Sequence, residues 1–541
     1  MTRQVKVAVV GSGLAGLTTA YLLASSHSED VEFDVHLFEK TPTIGMDSSS
    51  VSIGNEDQEW RIDVPMRSFQ GGYYPRLITL YTQLGVGFRQ ADFSYSFSLS
   101  CRSEKTQPLR TTMIYNGASG RDGVGMPAWL QDLHLYRKGH RVVTRAFALG
   151  LFILSTIQLF VCYMRLIFFA LPAVRSKRHN ELTFEEWAAE TVPRNFIWRL
   201  LRFDSTWISF TQDILIPLFS AVCTAPKDAV NAHPVEDFLD YIWLTFGTHH
   251  YVIIKGVRDA VARLTMNVKH IHLSSRLVGV HADPKNPRVA SIECVTTTKG
   301  TTTHQGFHHI VFATQANRVG PLLSSYATSL PPDSPARHAV MAQMNCLNQF
   351  NYIRTIVINH TDDSGALLPP DPRDRRDLNL VTAAASSAEA EASSSWSPHR
   401  VSPAYTMTTQ ILVPPPALKD EVAVPVFQTT NPFVEVHEDR ILSVATLERA
   451  VLTMPAKEAL QGLYRETRRA WWQSSAEAES SLGDLQGAGR RQSDARPGIW
   501  LCGSYAHVGI PLLEGCVVSA RNVYLGICES EGIRPATASH F

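Results

Sequence analysis

An α/β fold built around a nucleotide-binding parallel sheet is predicted by three features: an apolar strand near the N-terminus, a glycine turn that opens a helix after it, and a second apolar strand closed by an acidic residue. Val5-Lys6-Val7-Ala8-Val9-Val10 is short, apolar and rich in β-branched residues, as buried strands are. Gly11-Ser12-Gly13-Leu14-Ala15-Gly16 follows at once and runs into a helical stretch through Thr18 to Leu23. Phe33 to Phe38 forms the second strand, and Glu39 ends it.

The turn fits the spacing GxGxxG. Gly11 permits the tight bend, Gly13 lets a pyrophosphate approach the backbone, and Gly16 allows the helix to pack closely on the strand. The amides of Leu14 and Ala15 at the helix start then face the phosphates. Glu39 lies 23 residues beyond Gly16, where a carboxylate accepts hydrogen bonds from ribose hydroxyls.

At 541 residues the chain exceeds the ~250–300 at which a single core stops growing, so two or three packed units are expected. Lys+Arg and Asp+Glu are equal at 50 each, and no basic excess points to a nucleic-acid partner. The eight cysteines contain no CxxC pair, and no secretory signal precedes the first strand. Reduced thiols in a cytosol-facing protein, with no metal site, are the expectation.

Residues 182–264 read as largely helical, and strands follow at Ile271–Leu273, Leu277–Val280, Ala290–Thr296 and Ile310–Phe312. Their alternation predicts a small antiparallel layer that returns to the nucleotide-binding sheet. The polar stretches 371–400 and 473–498 offer little apolar area and are expected to be mobile, disordered loops. The resulting division places a Rossmann-like nucleotide-binding domain in three segments, 1–60, 265–320 and 491–530. An inserted α+β substrate domain of helical and mixed character fills 61–264 and 321–490.

Three further segments resemble the flavin-containing amine oxidase and phytoene desaturase superfamily. Thr43-Ile44-Gly45-Met46-Asp47 after Glu39-Lys40 is similar to its paired-glycine loop, with Met46 in place of the second glycine. Ile310-Val311-Phe312-Ala313-Thr314-Gln315 looks like its Ala-Thr-Gly strand end, reached after a Leu277–Val280 strand. Ile499–Ser504 followed by Leu512-Leu513-Glu514-Gly515 resembles its closing strand, glycine turn and helix. The resemblance implies that FAD is the cofactor. It also implies a cofactor site of Gly11, Ser12, Gly13, Leu14, Ala15, Gly16, Glu39, Lys40, Gly45, Met46, Leu277, Ala313, Gly503, Ser504, Leu512 and Leu513. Asp63 with Tyr74-Pro75-Arg76-Leu77, Asn359-His360-Thr361-Asp362 and Tyr405-Thr406-Met407 are similar to predicted amine-oxidase-like FAD proteins associated with cyclopropane fatty acid synthases.

No catalytic constellation stands out. Arg67 is a candidate for pairing with a substrate carboxylate or the flavin, against a plain salt bridge. His360 and Asp362 are candidates for acid and base, against a structural turn. His249, His250 and Lys255 are not assigned catalysis, and Trp471-Trp472 reads first as core packing.

Ala146 to Met164 is a run of 19 uncharged residues, and apolar character continues from Leu166 to Val174. Hydropathy alone predicts a transmembrane helix over 146–174. A single crossing would strand the Gly11–Gly16 and Gly503 turns on opposite sides of the bilayer, although both must hold one nucleotide. The segment is therefore expected either to be buried or to contact the cytoplasmic face of a membrane through one leaflet, with basic residues on both flanks meeting headgroups. Membrane contact is the favoured of the two.

These features predict an FAD-dependent oxidase, dehydrogenase or desaturase that passes a hydride from a lipophilic small molecule to flavin N5. Gly503-Ser504-Tyr505-Ala506-His507 with Pro511 also resembles a motif of NADPH-dependent flavin hydroxylases, with Ser504 in place of its aspartate. A flavin- or lipid-binding membrane protein without turnover is the third reading. Amine, fatty acyl chain, terpenoid and polyketide all satisfy the sequence as substrates.

Overall fold

The computed structural model describes the chain apart from residues 1, 27, 55–58, 101–108, 134–140, 297–299, 385–397, 416–417, 419–423, 467–469, 478–479, 492–495 and 535–541. A five-stranded sheet gathers strands that are distant in sequence. Its order is His270–His272, Val31–Phe38, Arg3–Val10, His309–Phe312 and Gly498–Leu501, all parallel. Val5, Val7, Val9 and Leu37 have no exposed surface, as expected of a sheet covered on both faces. The helices Leu14–Ala24 and Leu513–Ser530 pack against each other on one side of it.

An antiparallel layer of Ser275–Ala282, Ala290–Thr296 and Gly300–Phe307 leads back into the strand His309–Phe312. This is the return path that the alternation predicts. His270–His272 departs from it, because it pairs in parallel with Val31–Phe38 at the sheet edge.

A second, eight-stranded sheet takes three strands from 95–125 and five from 351–451. The helices of 184–245 share a core of Phe184, Trp187, Trp207, Phe219 and Phe238, in which the rings of Phe219 and Phe238 stack 3.9 Å apart.

Two sequence expectations need correction. The stretch 371–400 is not a loop throughout. Leu378–Ala383 is a strand of the large sheet, with Leu378, Leu380 and Val381 buried, while 385–397 lies outside the described residues. Its apolar residues alternate within a polar neighbourhood, and composition averaged over thirty positions hides them. Likewise 473–498 carries a short strand, Ser480–Leu482, and Ala488 is buried in a bridge with Ile499.

The apolar segment is one helix, described from Arg141 to Ala170. It ends just before Pro172, since the residue preceding a proline is driven out of the helical region. Burial in the substrate domain is not what it does: only Thr144, Ala148, Cys162, Leu166 and Ala170 are buried, while Phe160 is 61% exposed.

Candidate functional site

A cavity of about 420 Å³ opens between the two sheets. Two glycine turns meet at its wall. Gly13, Leu14 and Ala15 come from the first, and Gly503, Ser504, Leu512 and Leu513 from the second. Gly45, Met46, Arg67 and Ala313 complete the set of sequence-predicted residues that line it.

The glycines divide by role. A Cβ on Gly16 would lie 1.9 Å from the Gly11 carbonyl oxygen, and one on Gly11 would lie 2.8 Å from that of Ala313. These two permit backbone-on-backbone packing, and Gly11 also needs its φ of +100°. Gly13 is different: its backbone is extended, and a Cβ there would meet nothing within 4 Å. Room beside the first amides of a helix is the cradle that a pyrophosphate requires.

Glu39 is buried, and its two carboxylate oxygens are both engaged. Oε2 accepts from the Ser12 amide (3.0 Å) and hydroxyl (2.6 Å), and Oε1 from the Thr41 amide and hydroxyl (both 2.9 Å). Ser12 Oγ in turn accepts from the Gly45 amide at 2.7 Å, and the Met46 amide donates to the Ser12 carbonyl at 3.1 Å. The acidic residue thus clamps the glycine turn to the 43–50 loop. Lys40 is exposed, and Leu277 lies on the strand that starts where the Ser275 amide meets the Glu39 carbonyl (2.7 Å).

The C-terminal turn is fixed by Ser519, whose hydroxyl accepts from the Gly503 amide at 3.0 Å. A Cβ on Gly515 would lie 2.7 Å from the Ser504 carbonyl, so the helix start sits directly against the turn. Glu514 in its first turn accepts from the amides of Arg76 (2.9 Å) and Leu77 (3.0 Å) and so caps the helix Pro75–Gln83. Burial pushes the Glu514 carboxyl up to about 7, against these two bonds.

His360 and Asp362 do not line the cavity. His360 is buried at the end of its strand, with Nε2 2.7 Å from the Thr429 hydroxyl and Nδ1 accepting from the Asp362 amide at 3.1 Å. Asp362 accepts from the amides of Ser364 and His437, both at 3.0 Å. Trp471 and Trp472 are 73% and 58% exposed rather than packed in a core.

The sequence reading passed over several lining groups: Gln70, Tyr95, Tyr241, Tyr352, Gln428 and Arg449. His250 also lines the cavity, with Nε2 2.6 Å from the Gln70 amide nitrogen. Single polar residues in strands carry no local pattern that marks them. Their common feature is that distant strands converge, which only the tertiary fold displays. Burial pushes His250 down to about 4 and His233 to about 3, so both rings are neutral at pH 7.

A parallel sheet bearing a GxGxxG turn, joined to a large mixed sheet across a shared cavity, defines an α/β protein with a Rossmann-like domain and an amine-oxidase-like fold. The family model for NAD(P)-binding Rossmann-like domains matches residues 9–84. Among solved structures, putrescine oxidase bound to putrescine is 12% identical over 98% of this chain and 100% of its own, with a TM-score of 0.50. Cyclohexylamine oxidase from Brevibacterium oxydans covers the same shares at 10% identity and a TM-score of 0.48. Comparison with curated protein sequences finds no match.

Proposed function

We propose that this chain is an FAD-dependent oxidoreductase that oxidises a small, lipophilic molecule at a membrane surface. The observation that carries the proposal is the meeting of the Gly13 and Gly503 turns, 490 residues apart, at the wall of one cavity. The residues present suit the cofactor. Gly13, Leu14 and Ala15 would receive its pyrophosphate, Gly45 and Met46 would flank it, and the helix start at Leu513 would face the ring end.

A bound flavin supplies the capacity to accept a hydride. The chain's own part is to orient and to exclude water. The N-terminus of Leu513–Ser530 directs a positive dipole into the cavity, which favours negative charge there. Tyr74, Tyr95, Tyr241 and Tyr352 line the chamber, Tyr95 and Tyr352 from strands of the large sheet. Their burial raises every one of these phenols, so they act as neutral hydrogen-bonding and packing groups.

The membrane component rests on Arg141–Ala170, about 45 Å long at 1.5 Å per residue. Val142, Phe147, Leu154, Ile157 and Phe160 are all about half exposed or more. The short helix Phe196–Leu200, packed on the helix Phe203–Phe210 that touches the long one, exposes Phe196 (79%), Ile197 (67%) and Leu200 (71%). An apolar surface of this kind fits insertion into one leaflet, and Arg194, Arg199 and Arg202 stand beside it to meet headgroups.

The visible absorption spectrum of the purified protein, before and after acid precipitation, tests the cofactor. A flavin spectrum released into the supernatant is expected, and a folded, colourless protein that takes up no added FAD would refute the reading. Full recovery in a carbonate-washed soluble fraction would refute the membrane component.

A further inference from the structure

Two arginines line the cavity without a counter-ion. Among the described residues neither Arg67 nor Arg449 has a carboxylate within ion-pair distance, and the Nε of each is shielded from water with no hydrogen-bond partner. Both keep part of their surface on the cavity. An unpaired guanidinium held in protein is costly, more so beside a second one, and such groups normally have an anion to meet.

The acids nearby are committed elsewhere. Asp63, close to Arg67, spends both oxygens on the Val257 amide (3.1 Å each) at a helix start. Glu448, next to Arg449 in sequence, is taken by Arg318 at 2.9 and 3.0 Å. With His233 and His250 neutral, Glu448 is, among the described residues, the one acid lining the cavity against two arginines. Burial, followed by repulsion from Arg67, lowers Arg449 to about 10, which leaves it cationic at pH 7.

The backbone of the pair belongs to the side of the large sheet, although both guanidinium groups come close enough to the Cys516 thiol, beside the nucleotide turns, to oppose the rise that burial gives it. Arg449 lies on Ile441–Val451, the edge strand of the large sheet, and pairs with Ile353. Arg67 follows Met66, whose amide donates to Gln428 of the same sheet at 3.1 Å. The phosphate cradle at Gly13 already has its own donors in the helix amides.

We infer that Arg67 and Arg449 together bind the anionic head of the substrate, a carboxylate or phosphate ester on an otherwise apolar molecule. This rests on the oxidoreductase reading only in assigning the anion to the substrate. The field of the pair opposes a free alkylammonium, so the charge preference is the reverse of that suited to putrescine, which the structurally similar oxidase binds. Guanidinium forks match either oxyanion with two parallel hydrogen bonds. An apolar wall of Leu218, Ala221 and Val222 is available for the rest of the molecule.

Calorimetric titration of the full-length purified protein with octanoate, octanol and octylamine tests the inference, with flavin absorbance recorded for every sample. Octanoate should bind at least 10-fold more tightly than octanol or octylamine. Arg67→Met and Arg449→Met should each cost octanoate 10-fold or more while flavin content and melting temperature hold, and Arg449→Lys should recover most of the loss. Equal affinity for the three ligands, or no saturable heat with octanoate, overturns the inference. So does loss of flavin in either Met variant with octanoate affinity unmoved, which would assign the pair to the cofactor. A colourless protein that still selects octanoate supports the anion site and refutes the flavin reading, so the two fail separately.

Discussion

Gly13 and Gly16 sit three residues apart in one turn, yet alanine should affect them in opposite ways. At Gly16 the new methyl would stand 1.9 Å from the Gly11 carbonyl oxygen. Ordinary van der Waals contact needs about 3.4 Å or more, so the helix must move off the strand by more than an ångström. Overpacking of a tight core contact costs roughly 1–3 kcal/mol, and backbone against backbone falls at the upper end. At Gly13 the backbone has φ −69° and ψ 176°, which alanine adopts freely, and the methyl meets nothing within 4 Å. Gly13→Ala should therefore leave stability unchanged or raise it by about 0.4–1 kcal/mol through a less flexible unfolded chain. The methyl nevertheless occupies the space beside the helix amides, where the pyrophosphate is proposed to lie. Thermal melting and bound-flavin absorbance separate the two effects. Gly16→Ala should lose both melting temperature and flavin, and Gly13→Ala should keep the first and lose at least 10-fold in FAD affinity. A Gly13→Ala protein with unaltered FAD affinity would show that no ligand passes over this turn.

Glu514→Gln keeps an acceptor for only one of the Arg76 and Leu77 amides, at some constant cost in stability, and removes the buried carboxyl, raised from 4.5 to about 7. In the parent, the stabilising preference for the protonated form is complete below pH 4.5 and lost as pH rises through about 7, a fall of ~3 kcal/mol at most. The variant should lack that decline when melting temperature is followed from pH 4 to 9. Glu531 has the opposite sign. Burial would raise it, but the His309 bond (2.9 Å) and the charges of Arg490 and Arg3 (both 2.6 Å) hold it down to about 2. Its contribution is present above pH 4.5 and lost as pH falls through about 2. Glu531→Gln should cost about 3 kcal/mol at pH 7 in denaturant unfolding, because the partly buried Arg490 loses its counter-charge. On the long helix, Ile157→Glu with Phe160→Glu should reduce binding to lipid vesicles at least 10-fold in a flotation assay. Melting should be unaffected, since both side chains are more than half exposed.

What could be read from the sequence, and what could not, follows the range of the interactions. The turn at Gly11–Gly16, its strands and the Gly503 turn are local patterns, and the fold sets them where local chemistry indicates. Glu39 was legible as an acid at a strand end, placed to meet ribose hydroxyls. Its engagement by Ser12 and Thr41 was not, because hydroxyls are common and only their approach within 3 Å identifies them as partners. Arg449 was invisible for a related reason. In Ile441–Val451 it occupies an ordinary strand position, and it acquires meaning from Arg67, which is 382 residues away and lies in the loop before the strand Ser68–Gln70. His360 shows the reverse case: it is prominent in a motif, and the fold gives it the structural role that stood against catalysis, on Thr429 and its own strand end.

The structure also sharpens the argument about the membrane. Arg3–Val10 and Gly498–Leu501 belong to one sheet, so the chain before and after the long helix lies on one side of any bilayer. Two crossings would satisfy that condition if Phe203–Cys223, the other helix long and apolar enough, carried the chain back. It does not have the surface to do so. Trp207, Phe210, Leu215, Ile216 and Phe219 are all buried, and they share their core with Cys162, Leu166 and Ala170 from the end of the long helix. Lipid cannot surround a helix whose side chains are packed among Val235, Phe238 and Leu239. The long helix is therefore held to the protein chiefly along its C-terminal third and, apart from Thr144 and Ala148, largely exposed over the rest, an arrangement that suits lying in one leaflet rather than crossing the bilayer.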